Sequence, residues 1–210
     1  MDLYENQSTP TTPSNPFWKN RGIWILGVLF SIANLMYYAL VGWLPTFFSE
    51  RGMIPTTAAF ITSSMILLSI PAIILIPLAS DKIGLRKPFL WSSFLVMAVS
   101  CLALLITPLN LTMLTITILG LSLAIPFVLG FVLPIELVQK EYVGRATGLI
   151  LSIAYIGAII GPWFTGFIKD ISAEFTNAFV IISVIAIIAM GLSLTMPETG
   201  WKKSKFKEQN

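Results

Sequence analysis

Six stretches of this chain contain no Asp, Glu, Lys or Arg: Ile23 to Pro45, Thr57 to Ala79, Pro88 to Thr107, Leu111 to Leu133, Thr147 to Ile168 and Asn177 to Met196. Each is close to the ~20 residues that an α-helix needs to cross a ~30 Å hydrocarbon core. The stretches are continuously apolar and do not alternate, which selects helices over the strands of a membrane barrel. Only 11% of residues are charged, against about a quarter in an ordinary soluble domain. The expectation is an all-α membrane protein with six transmembrane helices. The uncharged run from Pro88 to Ile135 is too long for one crossing, and "TPLN" at Thr107 to Asn110 supplies the Pro and Asn of a reversal.

On this reading residues 1–21 form a polar N-terminal tail, 22–197 a six-helix bundle and 198–210 a basic C-terminal tail. The first tail lacks the basic start and cleavage site of a secretory signal, so the first span is expected to stay. Asn6-Gln7-Ser8 fits the glycosylation pattern but reads as chance if the tail is cytoplasmic. Cys101, the single cysteine, lies within the third span and reads as a packing residue, with no disulfide or metal role.

Six crossings return both termini to one side. Eleven basic residues share that side: Lys19, Arg21, Lys82, Arg86, Lys87, Lys140, Arg145, Lys202, Lys203, Lys205 and Lys207. Only Arg51 and Lys169 lie on the other. The positive-inside rule then puts both termini in the cytoplasm. The same distribution explains the net charge of +3 as topogenic, which excludes nucleic acid as a partner.

Between the second and third spans the charge gathers in Asp81-Lys82-Ile83-Gly84-Leu85-Arg86-Lys87-Pro88. Gly84 suits a tight turn with positive φ, and Pro88 suits the first turn of the next helix. The stretch resembles the loop signature, Asp, basic, any, Gly, then a basic pair, found between the second and third helices of each half of major facilitator superfamily transporters. It departs from that pattern in having Pro77 where a Gly is usual and in the extra Leu85. Four further stretches resemble the family's second half in order. They are "YYALVGWLPTFFSERG" (Tyr37 to Gly52), "PIELVQKEYVGRATGL" (Pro134 to Leu149), "GAIIGPWFTGFIKD" (Gly157 to Asp170) and "MPETG" (Met196 to Gly200).

The resemblance implies one six-helix bundle, built of two inverted three-helix repeats, of a twelve-helix carrier that works by alternating access. "LASDKIG" ending the second span and "FIKDISA" ending the fifth are a faint internal echo of such a repeat. It implies that Asp81 is a cytoplasmic latch onto a helix start in the other half, with Lys82, Gly84, Arg86 and Lys87 forming its loop. Arg86 and Lys87 would orient Asp81 or meet lipid headgroups. The reciprocal socket would be the start of the fifth helix at Gly144 and Arg145. The first and fourth helices would line the cavity, which nominates Asn34, Tyr37, Tyr38, Thr115 and Ser122, together with Ser31, as candidates for a small-molecule solute.

Asn34 and Tyr38 are one turn apart, so they could hold a ligand or hydrogen-bond within the bundle. Gly157 and Gly161 would allow close helix approach, either within the bundle or as a gate against the other half, and Pro162 would bend the helix. Pro71 and Pro126 are expected to break the second and fourth helices. Glu136 reads either as a solvated carboxylate at the interface or as a partner of Arg145. No span interior holds an ionisable residue of the coupling type.

Without His, and with its Asp residues flanking spans, the chain offers no catalytic residues. No cofactor is expected, and no charged ring marks a channel. The alternatives are half of a carrier in the cell (plasma) membrane, paired with a second six-helix bundle from another chain or a second copy, and a non-transporting half that modulates another carrier.

Overall fold

The computed structural model describes residues 17–200. Most of the two expected tails, including Asn6 and the C-terminal lysines Lys202 to Lys207, lies outside the described residues. Among the described residues six helices are long and apolar enough to span a membrane, and the chain is an integral multi-pass membrane protein. They are α1 (Arg21–Glu50), α2 (Pro55–Ile83), α3 (Lys87–Ile106), α4 (Thr112–Leu137), α5 (Val143–Ser172) and α6 (Phe175–Ser193). The reversal at "TPLN" is present as a 3-10 turn at Leu109–Leu111.

The helices outrun the charge-free windows. α1 continues five residues past Pro45, and α2 continues through Asp81 and Lys82 before Gly84 (φ 73°) closes it in the left-handed conformation. Asp81 therefore sits in the last turn of a helix and not in a loop. Hydrocarbon thickness sets where charge becomes tolerable, but a helix stops only where its backbone geometry changes. For the same reason Pro71 and Pro126 do not break their helices, which run on through them. Membrane helices tolerate internal Pro when neighbouring groups compensate for the freed backbone. Pro88 stands in the first turn of α3 as expected.

The most extensive contacts join α1 with α5, α2 with α4, and α3 with α6. Exchanging α1 with α4, α2 with α5 and α3 with α6 maps these three pairings onto themselves. That is the contact pattern of two inverted three-helix repeats.

α1 is the central helix. Its Ile23, Leu26, Leu29, Ala33, Met36, Leu40 and Leu44 are fully or almost fully buried. α5 buries Ala146, Ile150, Ala154, Gly157, Gly161, Thr165 and Gly166, the first six in a stripe whose spacing of three and four residues is one helical face. That stripe lies along α1 in parallel register. A methyl carbon on Gly157 would overlap the carbonyl oxygen of Ser31, and one on Gly161 would overlap that of Leu35. Two turns beyond Leu35 on α1, the Trp43 indole N–H donates to the carbonyl of Pro162 (2.8 Å). The two glycines thus serve packing within the bundle.

At the end opposite the Asp81 stretch both basic residues are engaged. Arg51 donates to the carbonyls of Leu104 (2.8 Å) and Thr107 (3.0 Å) at the end of α3, while Lys169 pairs with Glu50 (2.7 Å). α2 and α5 bury the smallest share of their apolar windows, α1 and α4 the largest.

Candidate functional site

Near the middle of the bundle α1, α2 and α4 enclose a cavity of about 280 Å³, whose walls include Tyr37, Tyr38, Met65, Ser69, Gly120 and Phe127. Its shape follows from close backbone approach, since a methyl carbon on Gly120 would overlap the Met65 carbonyl. Aromatic rings form one wall. The Tyr37 ring meets Tyr38 edge-on at 5.1 Å and Phe127 at 5.4 Å between centroids, separations typical of stabilising edge-to-face pairs. Two phenols supply polarity, the Ser69 hydroxyl being turned back onto the Ile66 carbonyl of its own helix (2.6 Å), and no charged side chain lines the cavity. Such a wall can donate hydrogen bonds to a small polar solute and stack against it, but it offers no counter-ion.

Of the expected cavity residues, the structure brings Tyr37 and Tyr38 together and leaves the others elsewhere. Asn34 is 4% exposed against 36% for Tyr38, and its amide donates to the Phe30 carbonyl of its own helix (2.9 Å). Four residues advance a helix by a full turn plus about 40°, enough at the edge of a buried face to turn one side chain inward. Thr115 is near the start of α4, 3.3 Å from the Thr107 hydroxyl. Ser122 lies in a separate groove between α2, α3 and α4. Ser31 packs against Gly157. Sequence reasoning missed Met65 and Ser69 because it looked for cavity residues only on α1 and α4.

A second assembly stands at the basic end of the bundle. Arg86, its side chain 10% exposed, pairs with both Asp81 and Glu136 and donates to the Ser80 hydroxyl (2.6 Å). Burial works against the charged guanidinium, but the hydrogen bonds and charges of Glu136 and then Asp81 outweigh it and raise the Arg86 pKa. A folded-state pKa above the unfolded one contributes stability below the unfolded value, lost only as pH rises through the raised one. For an Arg that window lies in strong alkali, so the Arg86 guanidinium remains charged at any working pH.

Glu136, exposed in part, is neither a merely solvated carboxylate nor a partner of Arg145. One oxygen accepts from Arg86 (2.7 Å) and the other from the Thr199 hydroxyl (2.6 Å). Arg145 and Gly144 are exposed at the start of α5, and open space surrounds Gly144.

The "MPETG" stretch belongs to this assembly. The Glu198 carboxylate accepts from the backbone N–H groups of Arg86 (2.7 Å) and Lys87 (3.2 Å). Those groups open α3, whose Arg86 cap position has no side-chain bond of its own, and a carboxylate there also meets the positive end of the helix dipole. Gly200 packs so closely on Gly84 that a methyl carbon would overlap the Gly84 carbonyl. Glu198→Gln is expected to lower stability by about 1 kcal/mol, read as an earlier unfolding transition in detergent. An unchanged transition would show that the cap contributes nothing.

The model of the Major Facilitator Superfamily matches residues 26–210. The chain belongs to the major facilitator superfamily. The resemblance carried by the loop and helix motifs is borne out. The chain is 27% identical over 194 residues to the cyanate transport protein CynX of Escherichia coli, covering 91% of this chain and 50% of that protein. It is 28% identical over 173 residues to a putative tartrate transporter of Agrobacterium vitis, covering 79% and 39%. It is also 32% identical over 141 residues to solute carrier family 22 member 2 of Mus musculus, covering 65% and 25%. The chain thus spans about half, or less, of the length of these superfamily relatives.

Proposed function

We propose that this bundle is the C-terminal half of a secondary-active carrier in the cell membrane, which moves a small solute by alternating access together with a second six-helix bundle. The observation that carries the reading is the cavity between α1, α2 and α4, with Tyr37 and Tyr38 in its wall. Its flanking α2 and the symmetry-related α5 are the helices that this bundle buries least. A second bundle against α2 and α5 would close the cavity and cover Tyr155, Ile159 and Trp163, all exposed on α5.

Relatives named for cyanate and tartrate transport favour a small anion as solute. Tyr37 and Tyr38 would donate hydrogen bonds to it, and the opposite bundle would supply any cationic or coupling group. Asp81 is assigned the latch role with its carboxylate oriented by Arg86, and Gly144 and Arg145 the reciprocal socket. The basic end faces the cytoplasm on this reading, and the chain works as a carrier and not as an enzyme.

The test is uptake of labelled anions by liposomes holding this chain alone, with itself at high density, or with candidate six-helix partners. Transport in one pairing is expected. Inertness in every pairing would overturn the carrier reading in favour of a half that modulates another carrier. In an active pairing, Tyr37→Phe with Tyr38→Phe should lower uptake about tenfold, the worth of one to two hydrogen bonds to a charged group. Asp81→Asn should shift the balance of inward and outward accessibility toward the inward-open form; an unchanged balance would leave Asp81 as an anchor for Arg86 alone.

A further inference from the structure

The lining of the cavity between α1, α2 and α4 narrows the class of solute. At about 280 Å³ the cavity stands just below the ~300–1,000 Å³ usual for ligand pockets, which suits a small molecule. Ile73 of α2 and Leu123 and Ala124 of α4 complete a wall that is hydrocarbon and ring apart from three hydroxyls. That of Ser69 is spent on its own helix. Those of Tyr37 and Tyr38 make no hydrogen bond among the described residues, so this half of the cavity holds two available donors.

Two donors on adjacent residues suit one anionic head. They do not suit a solute that is polar all over. Tartrate carries two carboxylates and two hydroxyls, and any of these set against Met65, Ile73 or Leu123 would lose its water without gaining a partner. A triatomic anion such as cyanate has the opposite mismatch, because it has no body to cover the apolar wall. Such a wall favours apolar area, about fourfold in affinity for each buried methylene-sized unit. Its rings add a preference of shape. Tyr37 meets Tyr38 and Phe127 edge-on, and a further flat ring can join such a cluster at similar separations.

We infer that the solute is an aromatic monoanion, its ring against Met65, Ile73 and Phe127 and its charged head taking hydrogen bonds from Tyr37 and Tyr38. The inference rests on the reading of this bundle as half of a carrier, with the balancing cation on the opposite bundle. Ser69, a small side chain in the α2 wall, leaves the room that the ring takes.

The experiment is uptake of labelled benzenesulfonate, methanesulfonate and tartrate by liposomes holding the full chain with each candidate six-helix partner. The sulfonates share one permanently charged head and differ only in the body. Benzenesulfonate is expected to exceed methanesulfonate about tenfold or more in kcat/KM, and tartrate by at least as much. Ser69→Phe, which puts a ring of the protein's own into the cavity, should bring the ratio of the two sulfonates down toward one. Ser92→Phe, which puts the same ring into the separate groove beside Ser122, should leave that ratio unchanged. Thermal unfolding of both variants confirms that they are folded. Uptake that favours methanesulfonate or tartrate, or a ratio that Ser69→Phe does not move, would overturn the aromatic solute and leave the carrier standing. Failure of every pairing to take up any anion would overturn the carrier, and this inference with it.

Discussion

Gly157→Ala is expected to lower the stability of the bundle by about 3 kcal/mol or more, the upper range for overpacking a well-packed contact. The added carbon would collide with the Ser31 backbone carbonyl, not with a side chain able to rotate away. Relief therefore requires α1 and α5 to separate. Separation loosens the Leu35 contact with Gly161 and the Trp43 hydrogen bond to Pro162 along the same seam. The comparison is Gly148→Ala, nine residues earlier on α5, where an added carbon meets nothing within 4 Å. There the intrinsic preference of a helix for Ala over Gly should leave stability unchanged or raise it by up to about 1 kcal/mol. Denaturant or thermal unfolding of the two variants in one detergent separates the cases. Similar transitions for both would show that the α1 and α5 backbones are not in close contact.

The second large effect belongs to Arg86. Arg86→Gln should cost about 3 kcal/mol, the lower range for removing one partner of a buried ion pair, because Asp81 is substantially exposed and Glu136 partly so. Arg86→Lys should recover only part of the loss. A guanidinium reaches Asp81, Glu136 and Ser80 from one planar fork, whereas an ammonium is a single point donor. Glu136→Gln added to Arg86→Gln should be less harmful than the two effects summed, since the glutamine leaves no charge stranded beside the Thr199 hydroxyl. Strict additivity in that double-mutant cycle would mean that Arg86 and Glu136 do not interact. The cluster joins the end of α2, the start of α3, the end of α4 and the segment after α6, so its loss is expected to loosen the whole basic end of the bundle.

Several parts of this architecture are legible in the residues. The Gly84 turn, the Pro88 helix start and the reversal at "TPLN" each depend on local backbone chemistry and occur where that chemistry puts them. Partners were harder to read. Arg145 offered a plausible charge for Glu136 nine residues away in sequence, yet the groups that bind Glu136 are Arg86, fifty residues earlier, and Thr199, sixty-three later. Opposite charges near one end of a bundle have many combinatorial pairings, and only helix placement selects among them. The cavity shows the same limit, with Tyr37 and Tyr38 in its wall and Asn34 turned into the core.

By itself the sequence determined six crossings, a strongly basic end and the family, because an apolar medium forbids charge and unpaired backbone over a fixed thickness. Which faces of those helices meet was decided only by the tertiary structure. In a soluble helix a polar face marks the outside, but here lipid and neighbouring helix are equally apolar, so the residues carry little periodic signal of orientation. Packing of small residues such as Gly120, Gly157 and Gly161 against backbone carbonyls then sets the rotation of each helix, and with it the cavity, the charge cluster and the groove.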